Sequence, residues 1–435
     1  MKTSNKLKLA AAIAAVGAAL LPGQAQVTLP EAWALPTSAG VDAGFRVRVH
    51  QANKNSGELP NTLARTEAQL AGVLIDPATG SPYANDVDNV AWTFDADGYY
   101  TETRTIAYEQ GGSGANGAIP GIPGKEGMTD NIAMEVLTWF DLAPGTYTFV
   151  VNSDDGFQVR AGANARDALS SVVLGFYDGG RGATDSAFSF KVTKAGLYSF
   201  RLIYEEGGGG ANVSWYNAVG GDVANQVLIN EAGGIPAYRK VSGSVPPAVT
   251  YASPGKDAVN VAPSGGISLL IADGSTTVDS ASVKLSLDGT AVTPTVTKTG
   301  STTKVAYTPP SLPDPLSNHK ASITYKDSAG TSYTSEWSFT YAKYTNVKLP
   351  TPVAYENFES AEEGKLPTGW TEVNFTTGST GEFDLLNPNS DSYLGWTVVS
   401  DTTVRAASWD AARRLDRGEL HHRFHGRVRP PKPQL

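Results

Sequence analysis

The residues best placed to do chemistry are two adjacent carboxylates in the segment Asn152-Ser153-Asp154-Asp155-Gly156-Phe157. The segment follows a strand-like run ending at Val151 and precedes a second alternating run, Phe157-Gln158-Val159-Arg160. In a regular strand, neighbouring side chains point to opposite faces and cannot share an ion. At a strand-to-strand turn, particularly across a cis peptide, they can converge. Two Asp, loop carbonyls and a side-chain amide would make the hard oxygen cage of about six to eight ligands that Ca2+ prefers. Vicinal hydroxyls of a sugar could then fill its open positions. The same six residues also read as a polar turn, with Asp capping backbone amides and Gly156 supplying a positive φ. Pattern alone leaves both readings open.

Other chemistries find few residues. Outside the last fifteen positions the chain has only His50 and His319, so neither a zinc protease motif nor a Ser-His-Asp triad can be composed from the pattern. There is no Gly-x-Ser-x-Gly. Gly121-Ile122-Pro123-Gly124-Lys125 lacks the first Gly of a phosphate loop and is followed by Glu126. Glu205-Glu206 and Asp154-Asp155 are the pairs that could be cast as glycosidase carboxylates, with only acidic neighbours to recommend them. Cysteine is absent, which excludes disulfides, thiolate metal sites and cysteine catalysis. Asp95-Ala96-Asp97-Gly98 lacks the rest of a twelve-residue calcium loop and reads as a β-turn. The expectation is a protein that is not an enzyme.

The elements that must position the acid pair are strands. Gly145-x-Tyr147-x-Phe149 and Gly196-x-Tyr198-x-Phe200 share a pattern in which Tyr and Phe, two apart, fall on one strand face and pack as a core layer. Gly-rich loops, 111–127, 178–182 and 207–210, separate the strands. One helix is expected over 61–71, where Ala64, Ala68 and Ala71 recur beside Leu63 and Leu70. The 435 residues include 46 Gly and 26 Pro, and only 18% are charged. That balance points to an all-β fold built from several modules. The net charge of −9 argues against a nucleic-acid partner.

Residues 40–242 form the first expected module. A second, 246–342, has short alternating strands every eight to twelve residues and reads as an immunoglobulin-like sandwich, with Trp337 in its core. A third, 353–404, has β character but too few residues to close a sandwich, and is expected to be incomplete. Both ends differ from this body. Residues 1–25 combine Lys2, Lys6 and Lys8 with the apolar run Leu9–Leu21 and small residues near Ala25, the pattern of a cleaved secretory signal peptide. No later stretch is apolar enough to span a bilayer as a helix. Between Lys240 and Val404 there is no Arg, yet residues 405–435 hold seven Arg and three His. That tail is expected to be frameshifted or disordered.

The segment 152–157, preceded by Gly145-Thr146-Tyr147-Thr148-Phe149, resembles the signature of PA14-type β-sandwich domains. Ala195–Leu202, Glu206-Gly207-Gly208-Gly209-Gly210-Ala211 and Trp215 are similar to the closing hairpin of the same family, so the resemblance covers about 42–235. It implies a calcium ion held by Asp154 and Asp155, with Asn212 as a third ligand, and a carbohydrate bound at that ion. The second module resembles bacterial immunoglobulin-like modules, and the third the start of a concanavalin-like, laminin-G-type sandwich.

The expectation is therefore a secreted or cell-surface, non-catalytic protein whose partner is an extracellular glycan or polysaccharide, bound with calcium. The alternative is a structural spacer of the surface or matrix with no sugar site. A glycoside hydrolase fragment is the third reading.

Overall fold

The computed structural model describes residues 26–53, 57–88, 90, 92–95 and 97–344, and the backbone of 393–400 and 403–410. The expected signal peptide lies outside these residues. The chain divides into two units, 1–345 and 346–435. It is all-β, with a single α-helix and a few 3-10 turns among the described residues.

In the first part of unit one the elements run β1 (Val27–Thr28), β2 (Gly40–Ala43), β3 (Arg46–Gln51), α1 (Leu63–Leu70), β4 (Ala107–Glu109), β5 (Ile132–Leu142), β6 (Gly145–Asp154) and β7 (Phe157–Gly162). They continue with β8 (Val172–Tyr177), β9 (Thr184–Val192), β10 (Gly196–Glu206), β11 (Asn212–Ala218), β12 (Gln226–Leu228) and β13 (Ala237–Val241). One sheet has the order β1-β9-β6-β11-β12, with β4 sharing the outer edge of β11. The other has the order β2-β13-β5-β10-β7-β8, with β3 also on β5. Strand β1 pairs with β9, so the sandwich begins upstream of the expected residue 40.

The alternating aromatics build the layer between the sheets. Phe149 packs at 5.0 Å from Phe190 and 5.8 Å from Phe200, and Phe140 at 4.6 Å from Phe200 and 5.1 Å from Trp215, ring centroid to centroid. Edge-on and tilted pairs of this kind add to the burial of large apolar area. Strand β10 is buried along all eleven residues. Tyr198, Phe200, Leu202 and Tyr204 face the core, while Ile203 on the other face is covered by Leu63 and Leu70 of α1. The helix starts at Leu63, two residues after the expected 61, because Thr62 caps it, its hydroxyl accepting from Arg65 N at 3.2 Å.

The second part of unit one holds β14 (Ala248–Ser253), β15 (Ala258–Val261), β16 (Ile267–Ala272), β17 (Val278–Leu287), β18 (Thr290–Val292), β19 (Thr295–Thr299), β20 (Thr302–Tyr307), β21 (Asn318–Asp327) and β22 (Ser332–Tyr341). They form two sheets, β14-β16-β20-β19 and β15-β22-β21-β17-β18. Trp337 is buried between them and donates to Pro254 O at 3.0 Å. The junction between the parts is not a plain linker. Leu169, from the β7–β8 loop, sits in the second core. Its neighbours clamp β14: Ala168 N donates to Val249 O at 2.7 Å and Val249 N to Asp167 Oδ2 at 3.0 Å.

In unit two the described residues form one hairpin, β23 (Tyr393–Ser400) with β24 (Thr403–Asp410). The ladder continues to Tyr393 opposite Asp410, so the expected boundary at 404 falls within a strand, because pairing rather than composition sets its end. The remainder of the expected third module and tail lies outside the described residues.

Candidate functional site

Strand β6 ends at Asp154, and the Asp154–Asp155 peptide bond is cis. Gly156 then leads into β7. It does not have the positive φ expected of it. What it supplies is space: a Cβ there would lie 2.5 Å from Glu205 Oε1 and 2.9 Å from Tyr177 O.

Asp155 is 5% exposed and well held. Its Oδ1 accepts from Arg181 N at 2.8 Å, and its Oδ2 from Asn61 Nδ2 at 2.7 Å and Gly207 N at 3.3 Å. Asn61 reaches it from the loop before α1, passing where a side chain on Gly207 would stand, 2.2 Å from Asn61 Oδ1. The guanidinium of Arg181 lies over the Tyr177 ring, 4.3 Å from its centroid, and donates to Ser153 Oγ at 2.7 Å. Asp154 is half-buried, and its carbonyl accepts from Tyr204 Oη at 2.6 Å. Burial and then the charge of Asp155 push its carboxyl above the ordinary range.

The residue that sequence reasoning did not place here is Glu206. Neighbours on a strand point oppositely, so β10 sends its last two acids to different destinations. Glu205 turns toward α1, where its Oε2 accepts from Arg65 Nη2 and Thr66 Oγ1, each at 3.2 Å. Glu206 continues the core-facing series of Tyr204 and ends beside the acid pair. One carboxylate oxygen from each of Asp154, Asp155 and Glu206 lies within 4.8 Å of the others. Glu206 is 0% exposed, and neither of its oxygens has a hydrogen-bond partner among the described residues. Burial first, then Asp155 and Asp154, push its carboxyl up to about 9, and burial pushes Glu205 up to about 7. Glu205 and Glu206 therefore do not act as a pair, which removes the geometric basis for casting them as two glycosidase carboxylates.

Asn212 stands directly opposite Asp154 across the β6–β11 ladder. Its Nδ2 donates to Asn152 Oδ1 at 2.7 Å, and its Oδ1 is buried without a hydrogen-bond partner among the described residues. The expected ligands are thus neighbours, and the donor set consists of oxygens. Three orphaned acceptors beside two Asp carboxylates are what a hard divalent cation satisfies. A groove of about 530 Å3 opens beside the cluster, with Asn152, Asp154, Gly210 and Asn212 on its wall.

The other sequence features settle differently. Gly98 N donates to Asp95 O at 2.9 Å, and Arg46 is bonded to both Asp95 and Asp97. A Ser-His-Asp order does assemble, contrary to the sequence expectation: Ser317 Oγ lies 2.7 Å from His319 Nε2, and His319 Nδ1 2.6 Å from Asp288 Oδ2. Register between β17–β18 and β21, invisible in the pattern, makes it. Yet Ser317 Oγ also donates to Asp314 O at 2.6 Å, and the backbone amides of Leu316 and Ser317 are bonded to Ala342 O and Asp314 O. The nearby amides that could cradle an oxyanion are already taken.

No family model matches the chain, and no curated protein does. Among solved structures it is similar to the PA14 sugar-binding domain from an RTX adhesin, at 17% identity over 43% of this chain and 96% of that one, with a TM-score of 0.26. It is similar to the PA14 domain of the MpAFP antifreeze protein, at 15% identity over 46% and 94%, with a TM-score of 0.29. A third is the Epithelial Adhesin 9 A domain from Candida glabrata in complex with Galb1-3GlcNAc, at 12% identity over 50% and 96%, with a TM-score of 0.26. At such scores these likenesses carry no argument about function, which rests on the site.

Proposed function

We propose that this is a secreted, non-catalytic protein that binds carbohydrate through a calcium ion held by Asp154, Asp155 and Glu206, with Asn212 completing the set. The observation that carries this reading is Glu206. A fully buried carboxyl group with neither oxygen hydrogen-bonded among the described residues is costly, and this one is aimed at two further carboxyl groups. A polar turn has no use for it, whereas a divalent cation compensates all three at once. When bound, the ion would offer open positions to sugar hydroxyls. Residues 1–25 would direct the chain out of the cell and be removed near Ala25, and the second sandwich would serve as an immunoglobulin-like spacer.

Thermal unfolding of the full chain in calcium and then in chelator tests the reading. A ligand that binds only the folded state, at a hundredfold excess over Kd, stabilises by about 2.7 kcal/mol. The midpoint should rise with calcium, and Asp154→Asn with Asp155→Asn should abolish the rise. An unchanged midpoint at millimolar calcium would leave the spacer reading, which is favoured by the insertion of Leu169 into the second core.

A further inference from the structure

Strand β11 carries more polar surface beside the acid cluster than an ion requires. Its outward residues, Asn212, Ser214 and Tyr216, are half-buried on one face, while Val213 and Trp215 are buried on the other. By register these outward residues lie opposite Asp154, Asn152 and Val150 of β6. All three line the groove of about 530 Å3, and Glu109 of β4 lines it from the far edge of β11. That volume falls among small-molecule sites, about 300–1,000 Å3. From Asn212 to Tyr216 is four residues of strand, about 13 Å at the usual rise. That is longer than one pyranose ring and comparable with two or three in line. The charged side chains of the groove are Glu109 and Asp154, both acids, and its lining includes no Lys, Arg or His.

We infer that the groove binds a neutral oligosaccharide of two or three units, one sugar at the acid cluster and a later one packed on Tyr216. The inference rests on the calcium reading above for its first sugar only. The ring of Tyr216 offers an apolar face to the C–H face of a pyranose, with Ser214 and Asn152 between the two subsites to meet ring hydroxyls. With the ion on Asp154, a uronate, sialate or sulfate would still meet Glu109, an acid of the groove with no Lys, Arg or His beside it in the lining. The groove therefore selects by charge as well as by length.

The test is an array of neutral mono-, di- and trisaccharides together with sialylated and uronate-bearing oligosaccharides, probed with the full chain in calcium. Neutral di- or trisaccharides should be retained above monosaccharides and above acidic glycans. Tyr216→Ala should weaken that retention about tenfold, Tyr216→Phe should restore most of it, and Glu109→Lys should admit acidic glycans. The calcium-induced rise in unfolding midpoint should be the same in Tyr216→Ala as in the wild type, which shows that the variant folds and keeps its ion. Equal retention by Tyr216→Ala, a preference for monosaccharides or acidic glycans, or no retention despite a calcium response would overturn the inference and leave the metal reading standing. Retention that depends on Tyr216 without any calcium response would support the groove and sink the metal reading.

Discussion

The first sandwich buries two groups of acidic side chains and treats them in opposite ways. On the outer face of the seven-stranded sheet, Glu135 of β5 is buried among cations. Arg201 Nε lies 2.6 Å from it, Arg48 Nη2 2.8 Å and Arg166 Nε 3.6 Å. Burial alone would raise its carboxyl, but Arg48, Arg201 and Arg166 hold it well below the usual carboxylate range. At the rim of the core, Glu206 is buried as deeply with no hydrogen-bond partner among the described residues, and its carboxyl is pushed up to about 9. The difference teaches what each is for. Where an acid serves the fold, the chain supplies its counter-charge. On the reading proposed above, Glu206 leaves its counter-charge for the ligand to bring.

The largest effect is expected on the compensated side. Arg201→Met strips Glu135 and Glu67 of a shared partner, and breaking a buried pair costs about 3–5 kcal/mol. Urea unfolding reads this directly, and a loss below about 1 kcal/mol would erase the contrast. Glu206→Gln sharpens it from the other side. In chelator at pH 7 the variant should lie within about 0.5 kcal/mol of the wild type, because a carboxyl pushed up to about 9 is already neutral there. In calcium, most of the ion's stabilisation should vanish. An unfolding midpoint that collapses in chelator would mean Glu206 is as structural as Glu135.

A smaller effect is expected at Asn61, which holds Asp155 and through it would position the proposed ion. Losing a partner of this kind weakens metal binding about tenfold or more, measurable by calorimetric calcium titration of Asn61→Ala. An unchanged affinity would remove Asn61 as a positioning residue. A pH-dependent effect concerns His50, next to Arg48 of the compensated group. Burial and then Arg48 lower it from 6.5 to about 4. Since the folded value is depressed, neutral His50 contributes fully above about 6.5, and the contribution is lost as the pH falls toward 4. The midpoint should therefore drop less on acidification in His50→Gln than in the wild type.

Much of the scaffold was legible. The Tyr-x-Phe alternations of β6 and β10 predict a shared core layer because side-chain direction along a strand follows from local geometry, and the rings of Phe149 and Phe200 do meet. The helix was legible, although it packs through Leu63 and Leu70 and not through the alanine series, whose Ala64 is exposed; Trp337 is a core residue as its strand pattern implied. The acid pair stood out by its own adjacency. Glu206 did not, since two neighbouring Glu in a sequence look alike until strand parity sends one to α1 and the other to the site. Gly156 misled for a related reason. A glycine signals either a backbone angle or missing bulk, and only the approach of Glu205 and Tyr177 shows that bulk is what matters here.

By itself the sequence determined which segments are strands and which way their side chains alternate, because those are properties of a few consecutive residues. It also determined that two carboxylates stand at a strand end. Only the tertiary structure decided what surrounds them. Glu206 and Asn212 flank one loop, Asn61 precedes α1 and Arg181 lies between β8 and β9, and strand pairing together with loop packing brings them within reach of Asp154 and Asp155. The same holds for Leu169, whose apolar side chain is filled in by a neighbouring core. Burial and the absence of a partner depend on what packs nearby, and no local pattern encodes that.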